Sequence, residues 1–391
     1  MAVTVYPVEL TVCLIFKSKS YIYYLNLRFF INIFAEIKNL HLLVKSTSVL
    51  LLIFPYMAFN IYNPFQKFNF NPETCFLTGQ NLNSSKEQIS IFPEWVLDRY
   101  SLRDKTFKML DESSLKYQDI KIPCAESVID NAINPLEEEI EKAFTAGYEE
   151  VIKVPEERLF QWMSKFMYGV LYNDISIEKG KPTVKKYVTK VQEFKLSPFL
   201  QERFTKLHLM LQSLVVPMNF KGTKPWSIRV FKIKYSKDVF NYKDESNNLN
   251  FSLGMNDFGI IACLQDNGAV GLSQQEMTDK FSNKILHPIQ FEELCARFIY
   301  NNYLLNSYAE YTVQSTDEKV IVESIPLNGT ANKSLFDTWD DDMFAQVLTD
   351  YWKPWGITKD KIITLGNSPN SFLENNDTYA IVEPETIKLP F

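Results

Sequence analysis

Two stretches of the chain place their apolar residues at helical spacing. Between residues 200 and 214, leucine or phenylalanine recurs at steps of four and three, on one face of a helix that Pro217 ends. A second stretch of the same kind starts at Pro155 and reaches Met167. We therefore predict two amphipathic helices, each packed on a hydrophobic core through one face.

Further along, apolar and polar residues alternate, which is typical of strands with one buried face. The alternation includes residues 228–230 and 249–255, and an Asn-Asp-Phe-Gly turn separates 249–255 from an apolar run at 260–264. A second hairpin is predicted between 311–313 and 320–322. Helices and strands occur in clusters and not in regular alternation, which favours the α+β class.

The first 56 residues differ from the rest of the chain. They contain five basic and two acidic residues, a net charge of +3, and no glycine. Their longest apolar run, Thr47 to Asn60, has about 14 residues, whereas a membrane span needs roughly 20. We expect no transmembrane span and predict that 1–56 is a non-core extension upstream of a true start at Met57. The alternative is an amphipathic anchor on a membrane surface.

Charge also divides the remaining chain. Residues 179–234 carry 13 basic and two acidic side chains, a net charge of +11, although the whole chain has a net charge of −6. We assign 57–150 to an N-terminal module and 151–391 to an α+β domain. The basic segment 179–234 belongs to the second of these.

Composition excludes several classes of protein. Glycine occurs only 12 times, and the chain lacks the Gly-rich phosphate loops, the nucleophile elbow and the His-Glu-x-x-His zinc motif. Its three histidines are far apart in sequence, so clustered imidazoles are not expected. Its five cysteines are odd in number and widely spaced, which indicates free thiols in the cytoplasm.

The segment from Cys75 to about Phe144 carries the most informative motifs. It reads Cys-Phe-Leu-Thr-Gly at 75–79, Glu-Gln-Ile-Ser-Ile-Phe-Pro-Glu-Trp at 87–95, and Pro-Cys-Ala-Glu-Ser at 123–127 ahead of a Leu- and Glu-rich stretch. In spacing this resembles the HNH endonuclease family, in its variant with two zinc knuckles. The resemblance implies a small ββα module, here degenerate. The patterns described above predict a larger helical and antiparallel-sheet region after it, and beyond the module the chain resembles a bacterial protein family of no known activity.

The sequence departs from that family at its zinc ligands. Each knuckle keeps its first cysteine, Cys75 or Cys124, but has Thr78 or Ser127 in place of the second. Two thiolates do not complete a tetrahedral zinc site, and neutral hydroxyls are poor ligands beside them. We therefore expect no cofactor, with zinc on the two residual cysteines as the less favoured alternative.

The catalytic base is missing as well. In the family a histidine follows the glutamate and deprotonates water, whereas here Gln88 follows Glu87. An amide does not accept a proton at neutral pH. We expect no nuclease activity from the module.

Two sets of residues that contain carboxylates are interpreted as structural and not as catalytic. Asn134, Pro135 and Glu137 have the spacing of a capping box, which predicts a helix that starts at Asn134. Asp257 and Asp266 lie in turn-type sequences, so we expect them to bind local backbone groups and not to act as a catalytic pair.

The basic segment contains the candidate nucleic-acid-binding residues Lys185, Lys186, Lys190, Arg203 and Lys206. Aromatic residues lie between the basic ones, as in proteins that neutralise phosphates and stack bases. The alternative is that the segment docks on the protein's own acidic regions. The acidic overall charge favours this alternative, since nucleic-acid-binding domains tend to be basic.

Three functions are consistent with these observations. The leading hypothesis is a non-catalytic binding or scaffold protein that contacts nucleic acid. The second is a nuclease that uses a divalent metal held by carboxylates such as Glu87 and Glu94, without a histidine base. The third is an enzyme whose site is assembled from residues far apart in sequence, which leaves no local motif.

Overall fold

The structure is a computed structural model that describes residues 9–18, 21–30, 61–66, 70–84, 86–109, 113–180, 197–234, 239–329, 333–364 and 367–388. The chain forms two compact units, Met1–Ala58 and Phe59–Phe391. In the first unit, strand β1 (Glu9–Ser18) pairs antiparallel with β2 (Tyr21–Phe30). Met57 and the apolar run 47–60 lie outside the described residues.

The second unit begins with short strands and a run of helices. In chain order these are β3 (Gln88–Ser90), α1 (Glu94–Arg99), β4 (Thr106–Lys108), β5 (Ser114–Lys116), β6 (Lys121–Pro123), α2 (Glu126–Val128), α3 (Asn134–Ala146), α4 (Tyr148–Val151) and α5 (Glu156–Gly180). Strand β3 pairs antiparallel with β6, and β4 pairs antiparallel with β5. The order β3, β6, α2–α3 therefore places two antiparallel strands before a helix.

Helix α3 begins at Asn134 as predicted, but the predicted capping box there is wrong. The helix already begins at Glu126 in α2 and passes through a π-helical turn, Ile129–Ile133, into α3. Asn134 has helical dihedral angles and therefore cannot cap. Pro135 lacks an N–H, and its ring would clash with the carbonyl four residues earlier, so the wider π turn lets the helix continue past the proline.

The rest of the unit contains two sheets and the longer helices. Its elements are α6 (Pro198–Leu211), β7 (Met218–Lys221), β8 (Ser227–Ile233), β9 (Phe240–Glu245), β10 (Asn250–Met255), β11 (Phe258–Cys263), α7 (Ala269–Ser273), α8 (Gln275–Phe281), β12 (Ile285–Leu286), α9 (Pro288–Tyr303), β13 (Tyr311–Ser315), β14 (Val320–Ser324), α10 (Asp341–Trp352) and α11 (Lys359–Ile362). The larger sheet has the order β12-β8-β11-β10-β9, and the smaller has the order β13-β14-β7.

The main sequence predictions for this part are confirmed. Helices α5 and α6 occupy the two stretches with helical spacing, and a 3-10 turn continues α6 to Leu214. Strands β10 and β11 form the predicted hairpin, with Met255 opposite Phe258. Strands β13 and β14 form the second hairpin. The fold is α+β, with antiparallel pairs dominant and parallel pairs only at β12–β8 and β14–β7 within the described sheets.

One hydrophobic core joins the N-terminal module to the larger sheet. Its buried side chains extend from Phe65 to Leu264, and α5 lies at its centre. On α5, the Phe166 ring lies 5.2 Å from that of Phe92, just after β3, and 6.2 Å from that of Phe251 on β10. The regions 57–150 and 151–391 therefore share a core.

Smaller apolar clusters lie around α9 and α10. Among the helices in the described ranges, none combines the length and the apolar character that crossing a bilayer requires.

Candidate functional site

The two residual knuckle cysteines meet in the core, although 48 positions separate them. Both Cys75 and Cys124 are fully buried free thiols. A hydrogen bond from the Cys124 thiol lowers the pKa of Cys75 to about 5, against the effect of burial, and the Thr78 hydroxyl and nearby N–H groups add to this. The same contact raises the pKa of Cys124. Cys75 is therefore the more acidic thiol of the pair.

The turn after Cys75 depends on Gly79. The Cys75 N–H donates to the Gln80 carbonyl at 2.8 Å, and the Gly79 N–H donates to the Cys75 carbonyl at 2.9 Å. Gly79 has φ +70°, and a Cβ there would collide with the Tyr62 ring. The positive φ favours glycine at this position, and the close approach of the Tyr62 ring leaves no room for a Cβ.

A second copy of this turn contains no cysteine. Residues 374–381 repeat the backbone hydrogen bonds of 74–81, and Tyr379 has φ +55° at the position of Gly79. There the Asn375 side-chain oxygen accepts from the N–H groups two and three residues further on. The turn therefore forms without metal ligands, with an acceptor atom at its first position.

The remaining zinc ligands are not supplied by neighbouring residues. Ser127 is exposed on α2, because the chain enters a helix immediately after Cys124. His208 comes from α6 and lies close by, but its Nε2 is 2.8 Å from the Phe76 carbonyl oxygen, and burial lowers its pKa to about 4. No group of three potential metal ligands occurs among the residues that the structure describes.

We expect the purified full-length protein to contain much less than one zinc ion per chain, because two thiols leave the tetrahedron half empty. Elemental analysis after purification without chelator measures this directly. A Cys75→Ser, Cys124→Ser variant sets the background. Zinc near one equivalent in the wild-type protein, and absent from the variant, would contradict the expectation.

The two carboxylates of the metal-nuclease hypothesis have other partners. Glu87 Oε1 accepts the N–H groups of Asn83 at 2.7 Å and Ser84 at 3.0 Å, and its Oε2 accepts the Glu126 N–H at 3.2 Å. Glu94, at the start of α1, forms an exposed ion pair with Arg103 at 2.6 Å. Gln88 is exposed at the start of β3. Glu87 thus connects a loop to the start of α2.

Much of the described part of the basic segment is paired with the protein's own acidic residues. Lys206 donates to Glu202 at 2.6 Å and to the Ala309 carbonyl at 2.9 Å. Three further ion pairs, at 2.5–2.9 Å, are Lys224–Glu156, Lys232–Glu149 and Lys234–Glu385. Lys185, Lys186 and Lys190 lie outside the described residues.

Arg203 differs from these lysines. It is 9% exposed, and its guanidinium carbon lies 4.6 Å from the Phe199 ring centroid and 5.5 Å from that of Tyr308. Burial lowers the pKa of Arg203. Within the described ranges no carboxylate pairs with it, and its Nε and Nη1 atoms are buried without a hydrogen-bond partner.

Residues far apart in sequence line one further pocket, as the third hypothesis expects. Lys243 on β9 forms ion pairs with Glu292 on α9 and lies over the Tyr351 ring of α10, with its ammonium 4.3 Å from the ring centroid. Ser252 and Cys295 also line the pocket. Sequence reasoning missed this group because its members lie on three elements separated by roughly 50 residues each, and local spacing carries no sign of them.

The interpretation of Asp266 is confirmed, and that of Asp257 is partly confirmed. Asp266 accepts the N–H groups of Gly268 at 3.3 Å and Val270 at 2.8 Å, and the Ser227 hydroxyl at 2.6 Å. Asp257 does lie in the β10–β11 turn, but its carboxylate accepts the N–H of Tyr148 at 2.7 Å.

Asp266 is expected to make the unfolding free energy depend on pH. Burial raises its pKa from 3.8 to about 6, so the folded state keeps a proton that the unfolded state loses between about pH 4 and 6. The contribution of Asp266 to stability should therefore fall as the pH rises through this window, by about 3 kcal/mol.

The measurement is denaturant unfolding of the wild type and of Asp266→Asn at pH 4 and pH 7. The variant loses the same hydrogen bonds at both pH values, so this loss cancels in the comparison. The free energy of unfolding of the variant should therefore rise relative to that of the wild type as the pH rises. Exposed Asp317→Asn is the control and should show no change between the two values. A constant difference for Asp266→Asn would refute the assignment.

Comparison of the chain with protein-family models, with curated proteins and with solved structures finds no match.

Proposed function

We propose that the chain is a non-catalytic binding protein built on a degenerate HNH-like module. The order of two antiparallel strands followed by a helix supports this proposal, as does the meeting of Cys75 with Cys124. The proposal that the protein is not catalytic rests on the Glu87 carboxylate, which accepts hydrogen bonds from three backbone N–H groups. A carboxylate that joins a loop to a helix start has few lone pairs left for a metal or a water molecule.

The partner that we propose is nucleic acid, bound through the basic segment 179–234. Although Lys224, Lys232 and Lys234 pair with acidic residues outside the segment, its other basic residues would neutralise phosphates, and Arg203 forms no ion pair among the described residues. Cys75, Cys124, Cys263 and Cys295 are free thiols, which fits a reducing compartment, and we place the protein in the cytoplasm.

Binding is tested by fluorescence anisotropy of labelled DNA and RNA, with the salt concentration raised stepwise. We expect binding at low ionic strength. The logarithm of the binding constant should fall linearly with the logarithm of the salt concentration, because each neutralised phosphate releases counterions. The absence of salt-dependent binding for every DNA and RNA probe would refute the nucleic-acid part of the proposal.

The non-catalytic part is tested by incubating supercoiled plasmid with the full-length protein in Mg²⁺ or Mn²⁺. We expect no nicked product above buffer. Nicking that requires either metal and disappears in Glu87→Gln or Glu94→Gln, but persists in exposed Glu138→Gln, would instead establish the metal-dependent nuclease.

A further inference from the structure

Arg203 is a buried cation that forms no ion pair within the described residues. It lies on α6 beside the rings of Phe199 and Tyr308, which pack against each other with their centroids 5.0 Å apart. These contacts are with ring faces or edges and do not satisfy N–H groups. Two of its nitrogen atoms, Nε and Nη1, are buried and have no hydrogen-bond partner in the described structure.

A buried cation with unmade hydrogen bonds is unfavourable unless something supplies acceptors. The neighbouring carboxylate, that of Glu202, is turned to Lys206 at 2.6 Å and is largely exposed. The charges of Glu202 and Lys206 cancel within this pair. Arg203 itself forms no ion pair within the described residues, although the more distant Glu245 carboxylate acts on it electrostatically, and its unsatisfied N–H groups match the acceptor oxygens of an anion.

Arg203 lines a small surface pocket together with Phe199, Gln265, Tyr308, Ala309 and the Glu202–Lys206 ion pair. The enclosed part has room for about one water-sized group, so a ligand can insert only one or two oxygen atoms and must leave its remainder outside. Beside the pocket, the Tyr308 side chain is 59% exposed, so its ring is accessible to a ligand. An exposed ring next to an anion pocket suits a ligand with a phosphate followed by a flat base.

We propose that this pocket binds one nucleotide of a single-stranded nucleic acid, with a phosphate oxygen on Arg203 and the base against Tyr308. The inference rests on the proposed nucleic-acid binding and adds the strand type and the site. Duplex DNA does not fit, because its stacked bases cannot reach Tyr308.

The test measures anisotropy of a fluorescein-labelled 12-nucleotide oligo-dT and oligo-U at low ionic strength. Arg203→Gln and Tyr308→Ala are each expected to weaken binding roughly fivefold to a hundredfold. Tyr308→Phe keeps the ring and should bind nearly as the wild type does. Lys221→Gln, an exposed basic position of the same segment, is the matched control and should weaken binding less than threefold.

Thermal melting of each variant separates binding from folding. Arg203→Gln removes a buried charge, so its melting temperature should not fall, and Tyr308 is too exposed for its loss to unfold the protein. Inorganic phosphate should compete with the oligonucleotide for the wild type. A free mononucleotide that binds as tightly as the 12-mer would overturn the strand assignment.

The other outcomes are distinct. If the oligonucleotides bind Arg203→Gln and Tyr308→Ala as tightly as the wild type, the pocket is not the site, and the proposed function stands without it. If duplex DNA binds as well as the single strands and loses affinity equally in these variants, the single-strand assignment is wrong. If no oligonucleotide binds the wild type, the proposed function fails together with this inference.

Discussion

Replacement of Glu137 by alanine is expected to lower the free energy of unfolding by about 3–5 kcal/mol. The Lys165 side chain on α5 is 1% exposed and forms an ion pair with Glu137 of α3. Glu137 also accepts a hydrogen bond from the indole N–H of Trp162 at 3.1 Å. Without this carboxylate the ammonium stays buried, and the partners left to it among the described residues are the Ile91 carbonyl oxygen at 3.4 Å and the Phe166 ring. Denaturant unfolding followed by tryptophan fluorescence measures the loss.

Two further variants make this prediction specific. Glu138→Ala changes the adjacent, exposed glutamate and should alter stability by less than about 0.5 kcal/mol. The double variant Glu137→Leu, Lys165→Met removes both charges, and we expect it to lie within about 1 kcal/mol of the wild type or above it. If Glu137→Ala lowers the free energy of unfolding by less than about 1 kcal/mol, water must reach the Lys165 ammonium in the variant, which would contradict the prediction.

Replacement of Glu293 by alanine should detach the C-terminal segment 367–388 from α9. This fully buried carboxylate accepts from Arg297 at 3.0 Å, from the Ser371 hydroxyl at 2.7 Å and from the Phe372 N–H at 2.8 Å. Its loss leaves Arg297 and these donors unsatisfied, so we expect a destabilisation of about 3 kcal/mol. Hydrogen exchange should accelerate in 367–388 first, before the helix itself.

Glu385→Ala provides the matched control for this segment. Glu385 also joins it to the rest of the unit, through an ion pair with Lys234 at 2.5 Å, but both side chains are about half exposed or more. Exposed pairs contribute roughly 0–1 kcal/mol. Equal acceleration of exchange in both variants would indicate that the buried carboxylate has no special role in docking the segment.

Sequence patterns predicted the elements whose formation depends on neighbouring residues. The spacing at 200–214 predicted α6, and the alternation on either side of an Asn-Asp-Phe-Gly turn predicted the β10–β11 hairpin. The same local reasoning failed at Asn134. There a capping box fitted the sequence, but burial of Ala132 and Ile133 against the core keeps the chain helical through the position that should have been the cap.

The candidate sites were accessible to sequence reasoning only in part. Spacing drew attention to Cys75 and Cys124, and charge drew attention to Arg203, but neither could show what lies beside them. Glu87 illustrates the difference, since its three N–H donors include one from residue 126, which only the β3–β6 pairing brings near. Tyr308, 105 positions after Arg203, carries no local sign of its role either.

Periodicity, composition and charge were enough to establish an α+β protein with a basic segment. These properties follow from near neighbours in the chain, because helical and strand spacing and the chemistry of single residues are local. Long-range packing decided which charged side chains are buried, which form ion pairs and which do not. Burial removes water as the competing partner, so the energetic meaning of Glu137, Arg203 and Glu293 depends on side chains that the fold brings to them.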